Sequence, residues 1–394
     1  MRSLIRGGGS GGRDLRVDFF RGLALWFIFI DHVPGNVLGH LTLRNFALCD
    51  ATEAFVLLAG YAAGLAYGGL LSRHGWGLAA AQLLRRAGTL YVAHIFLFVV
   101  FTAQVGLSAA ALDAAAYLDE LHLDAFGSEP YRALLEALLL RFQPAFLDIL
   151  PLYIALLLLL VPALPLLRWP MLLAALSGLL YLAVRLTGTN LPTWTGGGWF
   201  FNPLAWQALF FIGCMLGFVP GGGRPAVPRH PALMALSVMV LLLGALALVA
   251  AFHRPELLDR VPERVAAVLV GVDKSGLHPF RLMSILALAY LLGHLVPIGA
   301  GWLQGVAAAP FVLMGQHGLP VFCSGIFLSF LGRLALELSD AWAMQVAVNA
   351  LGLLALVGVG LVAAWYRLRS RGTPAPGGRG PGLPRTAASP TVSG

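Results

Sequence analysis

Ten apolar stretches recur along this chain, each close to the roughly 20 residues that carry a helix across a hydrocarbon core, and they leave room for few other folds. They fall at residues 17–38, 51–71, 87–107, 148–167, 170–186, 203–219, 231–252, 279–297, 307–331 and 343–366. Within lipid every backbone N–H and C=O must find its partner inside the chain, and segments of this length do so as α-helices. Of 394 residues, 59% are hydrophobic and 11% charged, against about 25% charged in soluble domains. The expectation is an all-α polytopic membrane protein of about ten transmembrane helices. A single bundle over residues 17–368 uses nearly the whole length.

The segments between and around the runs complete the plan. Residues 1–16 are basic and Gly-rich, a flexible tail without the small-residue cleavage site of a secretory signal. An arginine-bearing turn over 73–86 separates the second and third spans. Residues 108–146 are acidic and amphipathic and are expected to form an extramembrane loop with short interfacial helices. From 369 the chain is rich in Pro, Gly, Arg and Ser, which predicts a disordered C-terminal tail.

With ten spans and a cytoplasmic N-terminus, one side holds 15 basic residues and a single acid, and the other 10 basic residues and 15 acids. Basic residues favour the cytoplasm, so both termini are placed there, and in a bacterium the 108–146 loop faces the periplasm. The net charge of +8 sits in short loops and at both ends, a pattern of topology signals and anionic-lipid contacts rather than nucleic-acid binding. Cys49, Cys214 and Cys323 lie far apart and form neither a disulfide framework nor a metal site.

The first span reads RVDFFRGLALWFIFIDHVPGN and carries Asp18, Arg21, Asp31 and His32. Each such group within a span costs on the order of 2–3 kcal/mol, so the cluster calls for an explanation. Asp18 and Arg21 are three apart and share a helix face. Arg21 and His32 are eleven apart, nearly three turns, which puts a cation and an imidazole on one stripe ~16 Å apart. Asp31 is a catalytic candidate beside His32 and Arg21; adjacent residues diverge by about 100°, so it orients His32 only where Pro34 distorts the helix, and a partner from another span is the alternative.

The Arg21–His32 spacing resembles the R-x10-H motif of the membrane-bound acyltransferase-3 superfamily. RVDFFRGLALWFIFIDH, EAFVLLAGYAAG, PAFLDILPLYI, FNPLAWQALFFIG, KSGLHPFRL and GQHGLPVFC, in that order, are similar to the OpgC family. That family modifies osmoregulated periplasmic glucans. The resemblance implies an acyltransferase-3-like bundle in the bacterial inner membrane that moves a succinyl group from cytoplasmic succinyl-CoA to glucose hydroxyls of periplasmic β-glucan. No permanently bound cofactor is expected. An alcohol attacks a thioester at neutral pH only as a base removes its proton, and histidine has the pKa for that task. His32 is therefore the expected general base, with Arg21 along the donor's path.

Other polar residues divide by level in the bundle. Toward the donor lie Arg85 and Arg86, suited either to CoA phosphates or to topology anchoring, and Gln316 and His317 inside the ninth span. Toward the acceptor lie Glu53, Asp148, Asn202, Trp206, Gln207 and His278. Helix capping and interfacial anchoring are the competing readings for these. Lys274 and Arg281 are candidates for the free carboxylate of a dicarboxylic acyl group. A transporter or flippase for glucan or lipid-linked sugar is the rival from another class, since polar residues inside a bundle also mark substrate paths. An acetyltransferase of the same fold is another. Oligomeric state, including a homo-oligomer, is left open.

Overall fold

The computed structural model describes residues 14–219, 227–252, 262 and 271–372. The expected tail over 1–13 and most of that beyond 369 lie outside the described residues. Among those described there is helix and no strand, only an isolated bridge between Pro192 and Gly198.

The helices are α1 (Leu15–Asp31), α2 (Ala51–Ala63), α3 (Gly69–Ala111), α4 (Ala116–Glu120), α5 (Asp124–Ser128), α6 (Pro130–Leu138), α7 (Ile149–Ala163), α8 (Pro170–Thr187), α9 (Pro203–Gly217), α10 (Pro231–Phe252), α11 (Pro279–Leu295), α12 (Ala309–Gln316), α13 (Gly318–Leu338) and α14 (Trp342–Gly372). Among the described residues six helical stretches are long and apolar enough to cross a membrane: Ala51–Ala111, Ile149–Arg168, Pro170–Thr187, Pro231–Ala251, Gly318–Leu338 and Trp342–Ser370. The chain is thus a multi-pass membrane protein. Pro203–Gly217 and Pro279–Leu295 are apolar but shorter.

Four boundaries depart from the sequence expectation, three of them at residues that forbid regular helix. The first helix stops at Asp31 rather than at 38, because Pro34 and then Gly35 (φ +74°) cannot continue it. A π-helical turn (Gly64–Gly68) joins α2 to α3, and the break lies at Gly75 (φ +80°). Helix therefore resumes within the stretch expected to be a turn over 73–86. The ninth expected span is two helices, α12 and α13, parted at His317. Pro320 has no N–H for the carbonyl of Gln316 four residues earlier, and its ring would clash with that carbonyl. At the far end, α14 runs on to Gly372, past the point at 369 where a disordered tail was expected.

Helix pairs in this bundle meet through glycine. On α2, Gly60 and Gly64 face Gly213 and Gly217 of α9, so each helix carries a small-xxx-small pattern. A Cβ at Gly60 would overlap the carbonyl of Phe210, and one at Gly217 the carbonyl of Tyr61. The pairing of α1 with α12 is as close: a Cβ at Gly22 would overlap the carbonyl of Phe311, and one at Gly315 that of Asp18. Lipid is as apolar as leucine, so tight backbone approach and interhelical hydrogen bonds replace the hydrophobic effect as the binding force here.

Buried polar contacts add to that force. Ser177 Oγ of α8 donates to Gln207 Oε1 of α9 at 2.7 Å, and Gln207 Nε2 returns to the Ser177 carbonyl at 3.0 Å. Asn36 and Asn349 exchange amide hydrogen bonds of 3.0 and 2.9 Å, tying the turn after α1 to α14. Between α3 and α7, the three short helices α4–α6 form a cap whose Tyr117 and Glu120 meet Glu337 and Arg333 near the end of α13.

The α2–α9 crossing leaves no volume for a side chain. Gly213→Leu is therefore expected to abolish monodisperse, folded protein in detergent, whereas Gly178→Leu, on an open helix face, should leave the size-exclusion profile and melting temperature near the wild type.

Candidate functional site at the end of the first helix

His32 is the C-cap of α1, and its position follows from where that helix stops. Its backbone N–H still bonds back to the carbonyls of Ile28 and Phe29 at 3.1 and 3.3 Å, while Pro34 and Gly35 turn the chain away. The ring Nδ1 lies 2.6 Å from the Ile28 carbonyl oxygen. A carbonyl only accepts, so Nδ1 carries the proton and Nε2 keeps a free lone pair. The edge of Phe146 packs against the imidazole at a centroid distance of 4.5 Å. A neutral, oriented imidazole with one basic nitrogen results.

His32 borders a cavity of about 680 Å³. Its wall is drawn from Ile28 and Asp31 on α1, Asp50 and Thr52 at the start of α2, the 142–149 segment, the 190–201 loop, Lys274 with Ser275, and Phe322 on α13. The lining is mixed: carboxylates Asp31, Asp50 and Asp148, cations Arg44 and Lys274, amides Asn190 and Gln143, and aromatic rings Phe142, Phe146, Trp199, Phe200 and Phe201. Rings beside amides and carboxylates are what a sugar ring requires, with apolar faces against its C–H groups and acceptors for its hydroxyls. A second hollow, along Met234, Val238 and Leu242 of α10, is lined by one apolar helix face alone and holds no group for chemistry.

An ion network fixes the cavity's floor. Asp50 caps α2 by accepting from Thr52 N at 2.7 Å, and Glu53 Oε2 accepts from Asp50 N at 2.9 Å, a capping box. The same two carboxylates receive cations from the 271–281 segment. Lys274 Nζ lies 2.6 Å from Asp50, Arg281 Nη2 3.0 Å from Asp50, and Arg281 Nε 2.6 Å from Glu53. Burial opposes charge on Asp50, but Lys274 and Arg281 outweigh it and hold that carboxyl below its ordinary value. Asp148 has no such pair. Burial pushes its carboxyl up to about 6, with Lys274 only partly offsetting the effect.

Several residues expected at the acceptor instead shape the network. Asn202 caps α9 and donates to the Thr189 carbonyl at 2.7 Å. Trp206, fully buried, donates from Nε1 to the carbonyls of Lys274 and Ser275 at 3.2 and 3.0 Å. Gln207 is spent on Ser177, and His278 caps α11 through Phe280 N at 3.3 Å. Glu53 is fully buried under Arg281. None of these five, nor Arg281, borders the cavity. Each is taken up by a backbone or ionic partner, distant in sequence for Asn202, Trp206, Gln207 and Glu53 and local for His278. Of the acceptor-side candidates, Asp148 and Lys274 do line it.

Asp31 lines the cavity too, but it does not orient His32. Thr42 Oγ1 donates to its Oδ1 at 2.7 Å and Arg44 Nε sits 3.2 Å away; the partner of His32 is the backbone of its own helix.

The donor-side residues gather at the other end of α1. Gln316 Nε2 donates to the buried Asp18 at 3.4 Å. Arg21 Nη2 donates to the Leu58 carbonyl at 3.1 Å, and its stem lies near Gly318, next to His317 at the α12–α13 break. Arg85 and Arg86 stand on α3, apart from this group. None of the six borders the His32 cavity. Among the described residues no cluster of three or more metal-ligating side chains exists.

A family model described as OpgC protein matches residues 13–368. The chain belongs to the OpgC family. No curated protein and no solved structure matches it. Membership points to a transferase engaged in membrane-associated glucan modification, and the OpgC match spans α1 through nearly all of α14.

The sequence reading missed Arg44, Asp50, His122, Asn190 and Phe146, which all face the cavity. Asp50 carried a signal, D-x-x-E before an apolar run, that names a helix start but not the cations it collects.

Asp148 and Asp50 affect stability with opposite signs. An ordinary Asp ionises near 3.9, so between roughly pH 4 and 6 the unfolded chain loses the Asp148 proton that the folded one keeps. The stability this lends is full at acid pH and is lost as pH rises through about 6. Asp148→Asn removes the trend, so the melting temperature of the wild type should fall relative to that of the variant from pH 4 to 7. A wild type that gains on the variant over that range would contradict the burial of this carboxyl.

Proposed function

We propose that this OpgC family member is a transmembrane O-acyltransferase that moves a succinyl group from cytoplasmic succinyl-CoA to glucose hydroxyls of periplasmic β-glucan, with His32 as general base. The observation that carries this reading is the fixed tautomer of His32 at the wall of a cavity built from aromatic rings, amides and carboxylates. The orientation proposed is ten spans in the bacterial inner membrane with both termini cytoplasmic, so that the His32 end opens to the periplasm.

The chemistry runs as follows. A glucose hydroxyl enters the cavity and gives its proton to His32 Nε2 as its oxygen attacks the thioester carbonyl. The C–O bond forms and a tetrahedral intermediate results. Its collapse breaks the C–S bond, and the imidazolium returns the proton to the departing CoA sulfur. The Nδ1–H bond to Ile28 holds the ring and takes on the imidazolium charge while it lasts. The donor comes from the Arg21 end, along the ~16 Å between the two residues. Arg21, with Asp18, Gln316 and His317, borders that approach, and Arg85 and Arg86 meet the nucleotide phosphates at the membrane face.

A transporter would show glucan movement without ester formation. Purified protein given succinyl-CoA and linear or cyclic glucan is expected to release CoA and form succinylated glucan. General-base catalysis contributes about 10²–10⁴-fold, so His32→Ala should lower kcat by that factor at an unchanged melting temperature. Glucan binding or transport without acyl transfer in the wild type would overturn the reading.

A further inference from the structure

A dicarboxylic acyl group brings a free carboxylate to the reaction centre, and three cations lie near enough to meet it. Arg281 is not available: its side chain is 14% exposed and is shared between Asp50 and Glu53. Lys274, 29% exposed, is a point charge already 2.6 Å from Asp50 and seated 5.5 Å from the face of Phe201.

Arg44 differs from both. It stands on the 3₁₀ turn Leu43–Asn45, lines the same cavity as His32, and is 51% exposed. Its Nε lies 3.2 Å from Oδ1 of Asp31, the residue beside His32. A guanidinium is a planar fork whose second edge can bind another carboxylate while the first stays paired. Nη2 rests close to the backbone at Gly39, where a Cβ would lie 3.1 Å from it, and the half-exposed side chain still borders the cavity. Asp31 is itself held by Thr42, so the pair is anchored rather than floppy.

We infer that Arg44 is the specificity residue that recognises the distal carboxylate of the acyl donor, with Asp31 positioning its guanidinium beside His32. The inference rests on the acyltransferase reading above. It replaces Arg281 and Lys274 as the expected acyl-carboxylate site, and it gives Asp31 a role in choosing the donor rather than in proton transfer.

The other charged or titratable groups lining the cavity are Asp50, Asp148, Lys274 and His122. Asp50 is the partner of Lys274 and Arg281. Asp148 repels an incoming carboxylate when ionised, which makes a dedicated cation on the Asp31 side more necessary.

The test compares succinyl-CoA with butyryl-CoA, which lacks the carboxylate, on purified wild type, Arg44→Gln, Arg44→Lys and Lys274→Gln, with linear glucan as acceptor. The wild type should prefer succinyl-CoA. A charge-assisted carboxylate contact is worth about ten- to a hundredfold, so Arg44→Gln should lower the succinyl-to-butyryl ratio of kcat/KM by that factor. Arg44→Lys keeps a charge for Asp31 and thereby the local fold, yet loses the second edge, and should lose most of the preference too. An unchanged ratio in both Arg44 variants, or a collapse confined to Lys274→Gln, overturns the assignment while the acyltransferase reading stands. Wild-type protein that transfers neither acyl group overturns both.

Discussion

Two carboxylates at the start of α2 and two cations reaching them from the 271–281 segment hold the His32 end of the bundle together. A charge buried in or near a membrane is tolerable only when paired and hydrogen-bonded, and here each partner does more than one task. Asp50 and Glu53 also cap α2, which gives partners to the N–H groups of Asp50, Thr52 and Glu53. Arg281 opens α11, so the network sets the angle at which that helix enters the bundle. Lys274 is delivered to it by a segment pinned from below by Trp206, by Tyr181 Oη on the Leu277 carbonyl at 2.7 Å, and by the Arg185–Asp273 pair at 2.7 Å. The cavity floor is therefore the product of four helices, and loosening one tie would release several.

The long helices were legible because lipid imposes a length and a composition that leave a strong mark in one dimension. Their ends were less so. The spans read from hydropathy run through Pro34 and Pro320, because that pattern does not register a missing N–H, while the turn read over 73–86 hid that helix resumes just past Gly75. A local reading of proline would have parted α12 from α13, whereas the π-turn at Gly64–Gly68 has no comparable sequence mark.

The candidate site divides in the same way. His32 was readable because its spacing from Arg21 on one helix is a local quantity; Arg21 itself lies outside the cavity lining, on the Leu58 carbonyl. Arg44 and Asp50 were not, since their meaning depends on partners brought by folding: Asp50 meets Arg281 from 231 residues away. Trp206 and Gln207 look like sugar ligands by residue type, and only the fold reveals that the Lys274 and Ser275 carbonyls and Ser177 take up their hydrogen-bonding capacity. Polar residue type in a membrane protein signals that a group must be satisfied; it does not say by what.

The same accounting explains the far side of the site. Ending a helix frees backbone groups that need partners, and the turn after His32 presents them at Gly35 and Val37, both at the surface of the bundle. Gln345 Nε2 of α14 donates to the Gly35 carbonyl at 2.9 Å, and its Oε1 accepts from Val37 N at 3.1 Å. Asn36 caps the next turn through Leu38 N at 3.1 Å and is clasped by Asn349. Two amides on the last helix thus tie this turn to α14. With them the chain leaves α1 after Asp31, and His32 occupies a helix end, where Nδ1 still reaches the Ile28 carbonyl and the ring faces a cavity rather than a neighbouring helix. The placement of His32 is in this sense set by α14, which contributes no residue to the cavity wall.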